Sequence, residues 1–502
     1  MTTMMTLREL LYGLTAESIA PVSITGICCH SKQVRPGDLF IAIRGPRSDG
    51  HAFIEEAIAR GAAAILAQSL PAIYRSSARI VPQLRACPCV VVADTHKALS
   101  VIAARFFRHP SRKLRLVGVT GTNGKTTTTY LLKAILESAG AHVGLLGTIV
   151  YQIGERMVPS TNTTPGPLEL QRYIAQMASE GLEWCVMEVS SHGLAQGRID
   201  GLEFEAGIFT NLGSDHLDYH KTIEAYAAAK RRLFDYLRPH GHAVVNGDDS
   251  YGRILAQTIP HAVITYGMQR PARVMAREIF CSWEGTRLLL ESPWAVIPIT
   301  TPLLGRHNVM NIAAAVTTLL ALGIAPAAIQ DALASFDQVP GRFERVSNDT
   351  GVHVVIDYAH TAEAMRLVLL SLRELTRGRL IVVFGCGGDR DQAKRPMMGK
   401  IASLLADAVV LTSDNPRGED PLEIIRQIRS GFVPGFSNFH EVSDREQAIA
   451  TALAMARSND TVLIAGKGHE SFQIFHHVSV PFLDREVAER WAWSRHSVVL
   501  SS

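Results

Sequence analysis

Residues 114–140, LRLVGVTGTNGKTTTTYLLKAILESAG, constrain this chain more than any other stretch. An apolar run with strand character enters a glycine-rich turn. Gly124-Lys125-Thr126 then opens an amphipathic segment that ends at Gly140. A strand, a tight loop and a helix in that order let backbone N–H groups and a helix N-terminus cradle phosphate. Lys125 then reaches the terminal phosphates, and the Thr126 hydroxyl faces Mg²⁺. The plain alternative is an ordinary strand–turn–helix with a surface lysine. The strict phosphate-loop pattern wants glycine six residues before Lys125, where this chain has Val119. Gly118 and Gly121 flank that position, so the loop is phosphate-loop-like without matching the strict pattern.

A chain of 502 residues has room for roughly three domains. With 47% hydrophobic and 19% charged residues it can bury sizeable cores. A net charge of +3 gives no general affinity for nucleic acid. The seven cysteines are scattered, odd in number and lack paired metal-ligand spacing, so they read as reduced thiols of a cytoplasmic protein. MTTMMTLREL lacks the basic-then-apolar order of a signal peptide. The uncharged run 309–330 is long enough to suggest a membrane span. It is alanine-rich, holds Asn311, Thr317 and Thr318, and is interrupted by Gly323 and Pro326, so a buried helix is expected.

Short strand-like runs (LFIAIRG, AAAILA, CVVVAD) alternate with helical ones up to residue 108, which reads as a small α/β N-terminal domain. The basic RFFRHPSRK marks a boundary, and SFDQVPG at 335–341 marks another. The expected domains are therefore 1–108, 109–337 and 338–502. The middle one would carry a parallel sheet of the phosphate-loop ATPase kind. In the last, VHVVIDYA, RLIVVFG, AVVLTS and TVLIAG alternate with helical segments at 362–375 and 421–428, which predicts a Rossmann-like, doubly wound parallel sheet. Polar residues cluster just after these strand ends, at 385–390, 414–417 and 466–470, where open α/β sheets bind ligands.

Several constellations carry chemistry. Glu188 ends an apolar strand in MEVSSHGL, where a carboxylate can hold Mg²⁺ directly or through water. TNLGSDHLDYH packs two aspartates and two histidines into one loop. His216 is its best metal-ligand candidate, while Asp215 could serve only as a helix N-cap. Lys230 lies on a predicted helix, where lysines are usually solvated, and spacing alone does not single it out. In GRHNVMN, Asn308 and Asn311 share one helix face and could cap the helix or bond a base. Arg342 and Asp357 are isolated polar residues beside apolar runs, suited to phosphate and ribose respectively.

Taken together, GVTGTNGKTTT, STNTTPGP, MEVSSHGLAQGR, TNLGSDHLDYH, AAAKRRLF, GRHNVMN, GRFE, DYAHT, GCGGDRD, SDNPRGEDP and AGKGHE resemble the Mur ligase family over nearly the whole chain. DNPR and GKGHE are similar to the branch that adds the third peptide residue, in the version that accepts meso-diaminopimelate rather than lysine. The resemblance implies an ATP-dependent amide-forming ligase of peptidoglycan precursor synthesis. Its partners would be ATP, UDP-N-acetylmuramoyl-L-alanyl-D-glutamate and meso-diaminopimelate, with an acyl phosphate between them. It implies ATP contacts at Gly121, Thr122, Asn123, Gly124, Lys125, Thr126, Thr127, Asn308, Arg342 and Asp357, and Mg²⁺ at Thr126 and Glu188. Lys230 matches a lysine carbamylated by CO₂, which would share a second Mg²⁺ with His216.

Contacts to the UDP-substrate are implied at Ser31, Asn162, Thr163, Thr164, Ser190, Gln196 and Arg198. Amino-acid contacts are implied at Arg390, Asp414, Asn415, Pro416, Arg417, Gly466 and Glu470. The N-terminal region departs from the family pattern, with His30-Ser31-Lys32 where Asp-Ser-Arg is usual, and lysine lacks the planar donor fork of arginine. His192 and His360 are candidates for supporting roles. A monomer is expected. The rivals are a lysine-adding ligase, a folylpolyglutamate synthetase-like ligase and a nucleotide-binding module without ligase chemistry.

Overall fold

A computed structural model describes residues 4–15, 19, 21–45, 48–69 and 87–499, with side chains up to 491. Its contacts divide the chain into two compact units. The first holds 1–120, 141–207 and 229–242; the second holds 121–140, 208–228 and 243–502.

In the first unit, four short strands, Gly26–Cys28, Asp38–Ile41, Ala64–Ala67 and Cys89–Val91, pair in that order and all in parallel. Side chains alternate across a strand, so Leu39, Ile41 and Leu66 pack with Leu99, Ile102 and Phe106 of the Thr95–Phe106 helix. Phe40 and Ile65 pack on the other face with Ile54 and Ala57. Asp94 caps the 95–106 helix by accepting from the backbone N–H groups of His96 and Lys97. A second set of strands runs in the order Arg156–Pro159, Val150–Ile153, Val143–Leu146, Trp184–Glu188, Arg115–Thr120. Its centre is parallel, as expected, but the two outermost strands form an antiparallel edge. Phe204–Phe209 and Leu237–Asn246 come next in order, and each runs on into the second unit.

In the second unit, Ala262–Gly267 pairs in parallel with Val274–Ser282, and Gly285–Glu291 and Val296–Thr301 follow antiparallel. The apolar run 309–330 is two helices rather than one, Arg306–Ala321 and Pro326–Ala334. Gly323 adopts a φ of +85° between them, and Pro326 starts the second. Among the described residues no helix is long and apolar enough to cross a membrane.

The C-terminal sheet orders its strands Glu344–Val346, His353–Asp357, Thr461–Ala465, Leu380–Phe384, Ala408–Leu411, Phe439–Glu441, parallel except for the first. One face, with Val355, Val382, Phe384 and Leu463, packs on the helices Ala362–Leu375, Lys394–Leu405 and Pro421–Arg429. The other, with Ile356, Ile381, Val383 and Ile464, packs on Arg445–Met455 and on the helix that starts at Asp484. The last parallel strand of the chain is inserted between the first two. That insertion sets the loops after Asp357, Ala465 and Phe384 side by side at the carboxyl ends of the strands.

Candidate functional site

The strand Arg115–Thr120 continues through Val119, whose side chain is buried, so the turn begins at Gly121 and needs no glycine two residues earlier. Gly121 has a φ of +146°, and a Cβ there would collide with the Thr210 hydroxyl. Gly124, at φ +86°, is the N-cap of the helix Lys125–Ser138. Lys125 Nζ donates to the carbonyls of Gly121 and Thr122, both at 2.9 Å, which holds the ammonium over the loop. Thr126 and Thr127 are buried in the first turn. The loop is fastened by Thr210, Asn211 and Gly213. Thr122 N donates to Asn211 O (2.9 Å), Asn123 N to Asn211 Oδ1 (2.9 Å), Thr210 Oγ1 to Asn123 O (2.6 Å) and Gly213 N to Thr122 Oγ1 (2.8 Å). Sequence reasoning had not singled out Thr210 or Asn211; the available signal was their place directly after a buried strand.

The nucleotide candidates gather on this loop. Arg342 Nη2 donates to Thr126 Oγ1 at 3.2 Å, and its guanidinium lies 4.4 Å from the centre of the Tyr358 ring. Asn308 and Asn311 are buried and bonded to each other at 3.0 Å, and Asn308 Nδ2 donates to Leu304 O. Asn311 Oδ1 occupies the space a Cβ on Gly124 would need. The helix N-cap is Gly305, so neither asparagine caps it. Asp357 accepts from Phe343 N (2.7 Å) and Ala359 N (2.8 Å), which shapes the GRFE and DYAH loops. Burial raises its carboxyl to about 6, against the opposing pull of Arg342 and these two N–H groups.

His216 takes the left-handed conformation, φ +54°, at the N-cap of the short helix Leu217–His220, with no side-chain cap. Asp215 is therefore not the cap; its Oδ1 accepts from His216 N at 2.8 Å. Burial would raise the Asp215 carboxyl, yet His216, His360 and Lys125 together hold it below its ordinary value. The loop thus keeps an anion in the field of Lys125. Among the described residues no group of three or more His, Cys, Asp or Glu could hold a metal ion.

In the first unit, STNTTPGP and MEVSSHGLAQGR form one bonded cluster. Thr148 donates through N (2.8 Å) and Oγ1 (3.0 Å) to the buried Glu188 carboxylate. Thr164 Oγ1 donates to Glu188 O and accepts from Ser190 N, both at 2.9 Å. Thr148 Oγ1 also lies 3.1 Å from Thr163 Oγ1, and Asn162 N donates to Tyr151 OH at 3.0 Å. Arg198 donates to Thr164 O (2.7 Å) and to Gln196 Oε1 (3.0 and 2.8 Å). Ser190 caps the helix Ser191–Ala195 through Gly193 N. Lys230 ends up 1% exposed, contrary to the usual solvated fate of a helical lysine. Ser31 is buried at the start of the turn Ser31–Gln33, its hydroxyl bonded to Glu56.

The amino-acid candidates lie on the loops at the strand ends of the C-terminal sheet. Arg417 sits at φ +50°, where a loop chosen for its turn alone favours glycine or asparagine. Its Nη1 donates to Gly388 O at 2.8 Å and packs against Gly387, next to Arg390. Pro416 O fills the space beside Gly388. Asn415 Nδ2 donates to Glu470 Oε2 at 2.9 Å. Asp414, nearly buried, accepts from Asn415 N at 2.7 Å and faces Gly466. Sequence reasoning missed the supports beneath. Arg395 is fully buried and donates to Glu419 (2.7 and 2.9 Å) and to Gly387 O (3.0 Å). Its hydrogen bonds hold the Glu419 carboxyl down at about 2.

Residues 23–107, 119–319 and 341–468 match, respectively, the models described as Mur ligase family, catalytic domain; Mur ligase middle domain; and Mur ligase, glutamate ligase domain. The chain is 45% identical over 496 residues to a UDP-N-acetylmuramoyl-L-alanyl-D-glutamate--2,6-diaminopimelate ligase of Gloeobacter violaceus, covering 98% of this chain and 99% of that protein. It is 43% identical over 486 residues to the ligase of the same name from Geobacter metallireducens, covering 93% of each. A solved structure of a ligase of that name matches with a TM-score of 0.68 and 32% identity, over 98% of this chain and 99% of the other. MurF ligase from Thermotoga maritima in complex with ADP shares the fold alone, at a TM-score of 0.65 and 21% identity over 93% of this chain and 98% of that one. With relatives this similar over nearly its whole length, the chain belongs to the Mur ligase family.

Proposed function

We propose that this chain is an ATP-dependent ligase that joins meso-diaminopimelate to UDP-N-acetylmuramoyl-L-alanyl-D-glutamate, a step in building the peptidoglycan precursor. The observation that carries this reading is Arg417. It is held in a left-handed backbone conformation beside Arg390, and Asn415, close by in sequence, is bonded to Glu470 from a different loop. A second carboxylate and ammonium distinguish diaminopimelate from lysine, and such a site offers cationic donors for one and an acceptor for the other.

On this reading the γ-carboxylate of the D-glutamyl residue attacks the γ-phosphorus of ATP. The bond to the bridging oxygen breaks, leaving ADP and an acyl phosphate. The amine of diaminopimelate then attacks the acyl carbon, phosphate leaves, and the amine gives up its proton. Lys125 stabilises charge on the phosphoryl oxygens, and the loop N–H groups with Arg342 position the nucleotide. Asn162, Thr163, Thr164, Ser190, Gln196 and Arg198 would receive the UDP-substrate, and Ser31 its uridine end.

The donors suit magnesium, which takes one or two protein oxygens and completes its shell with phosphates and water rather than needing an all-protein cage. Thr126 and Glu188 would hold one ion; His216 and a carbamate on Lys230 would hold another. Bound magnesium would neutralise charge between the phosphates. The burial of Lys230 supports a role inside the protein rather than that of a solvated surface lysine. We place the domain limits at 1–108, 109–337 and 338–502, and read the protein as a cytoplasmic monomer. The test is phosphate release from ATP, expected only when both the UDP-dipeptide and diaminopimelate are present. Equal release with either omitted would contradict the reading.

A further inference from the structure

Lys467 is a lysine with no exposed surface, and the mechanism above does not use it. Its Nζ donates to Glu470 Oε2 (3.0 Å), Asn415 Oδ1 (3.2 Å) and Phe472 O (2.6 Å), so all three ammonium hydrogens are used. Asn415 Oδ1 also accepts from Ile474 N at 3.0 Å. Both lone pairs of that oxygen are therefore occupied. Asn415 Nδ2 gives one hydrogen to Glu470 Oε2 at 2.9 Å, which leaves a single open valence on the amide, one N–H. Glu470 Oε2 takes two donors, whereas among the described residues Oε1 meets only the long 3.5 Å contact from Tyr358 OH.

We propose that Lys467 is a positioning residue for substrate selection. It fixes the Asn415 amide so that this residue can only donate to a ligand, while Glu470 can only accept. The pair then offers one donor to a carboxylate and one acceptor to an ammonium. That matches the distal end of diaminopimelate and mismatches lysine, which lacks the carboxylate. Without the lysine, the amide keeps Ile474 N and Glu470 but loses one of its three anchors, so its orientation is held less strictly, and Glu470 loses its counter-charge. This inference rests on the function proposed above.

The test is a cycle of Lys467→Met, Asn415→Ala and the double variant, with KM and kcat measured for each substrate. Lys467→Met should raise the KM for diaminopimelate about a hundredfold and lower its preference over lysine at least about tenfold. The KM values for ATP and the UDP-dipeptide should stay within about threefold of wild type. In the Asn415→Ala background the same change should cost less than about threefold, because the residue it acts through is gone. Equal effects in both backgrounds, or equal rises in all three KM values, would overturn the proposal.

A second variant, Asn415→Asp, carries the test should Lys467→Met not yield folded protein. The carboxylate still accepts from Lys467 and Ile474 but cannot donate, so the KM for diaminopimelate should rise about a hundredfold. A KM within about threefold of wild type would overturn the donor-only assignment. The wild-type arm separates the two ideas. If wild type shows no turnover with diaminopimelate, the proposed function fails. If wild type turns over and the cycle is additive, only the role of Lys467 fails.

Discussion

The phosphate loop and the amino-acid loops lie in the same unit, yet they are built by opposite means. The first is made of backbone: glycines at positive φ, N–H groups, and the short side chains of Thr210 and Asn211 as ties. Its one charge, Lys125, rests on carbonyls of its own loop. The second is made of charged side chains, with buried ion pairs beneath the loops. Arg395 is paired with Glu419, Lys467 with Glu470, and Arg445 with Asp484. Arg445 and Asp484 are both buried. The Arg445 guanidinium also donates to the carbonyls of Ser413 (3.3 Å) and Ala465 (3.0 Å), the residues just before Asp414 and Gly466. If these loops bind as proposed, the difference says where selectivity resides. Phosphate is common to every nucleotide and can be read by backbone geometry. One particular amino acid must be read by side-chain charge, and charges aimed from loops need partners beneath them to hold their geometry.

The sharpest break in this comparison is loss of the phosphate-end charge. Lys125→Ala should lower kcat by roughly a hundredfold or more while the melting temperature stays near wild type, since the N–H cradle survives. Retention of more than about a tenth of wild-type turnover would contradict the assigned role. Lys230 tests whether a buried cation position acts as an anion. Lys230→Ala and Lys230→Arg should both be nearly inactive, because neither can form a carbamate. Small carboxylic acids at high concentration should partly rescue the alanine variant. Near-normal turnover by Lys230→Arg would remove the carbamate from the account.

The amino-acid end should fail differently, through its foundations. Arg445→Met strands the buried Asp484 carboxylate and should destabilise by about 3–5 kcal/mol in urea unfolding. Adding Asp484→Leu should recover most of that loss, since a buried pair replaced by apolar residues is often close to neutral. If the double variant is no more stable than the single, the pair is not the source of the effect. The smallest effect is in pH. Burial lowers His307 to about 4, so between that value and about 6.5 the unfolded chain binds a proton that the native chain does not. This contribution is fully present above about pH 6.5 and is lost as pH falls toward 4, on the order of 3 kcal/mol at most. The loss of stability between pH 7 and 5 should be smaller in His307→Gln, and an unchanged slope would rule His307 out as the group responsible.

The two regions also differed in how far they could be read from the sequence. The helix at 362–375 and the one that starts at Pro421 follow from apolar periodicity, with Thr361 and Asp420 as caps. The phosphate loop was legible because its function needs a fixed order of glycines. Its ties at Thr210 and Asn211 were not, since they lie just after a strand about ninety residues further along the chain. The antiparallel edge at 150–159 leaves the parallel core untouched and carries no distinct apolar pattern. Arg445 and Asp484 lie 39 residues apart, and nothing in local composition pairs them. Lys467 sits in a motif, yet a motif does not say whether its lysine faces water or the interior. Local spacing does not single out Lys230 for the same reason: burial is a tertiary fact.

The most direct test of the account is competition between meso-diaminopimelate and L-lysine for the wild-type enzyme, repeated with Arg417→Ala. The account predicts a wild-type preference for diaminopimelate of at least about a thousandfold in kcat/KM, because lysine leaves Arg417 unpaired beside another cation. In Arg417→Ala, diaminopimelate should lose efficiency mainly through KM, with little gain for lysine. Equal use of the two amino acids by wild type would contradict the claim that charge at this end selects the substrate.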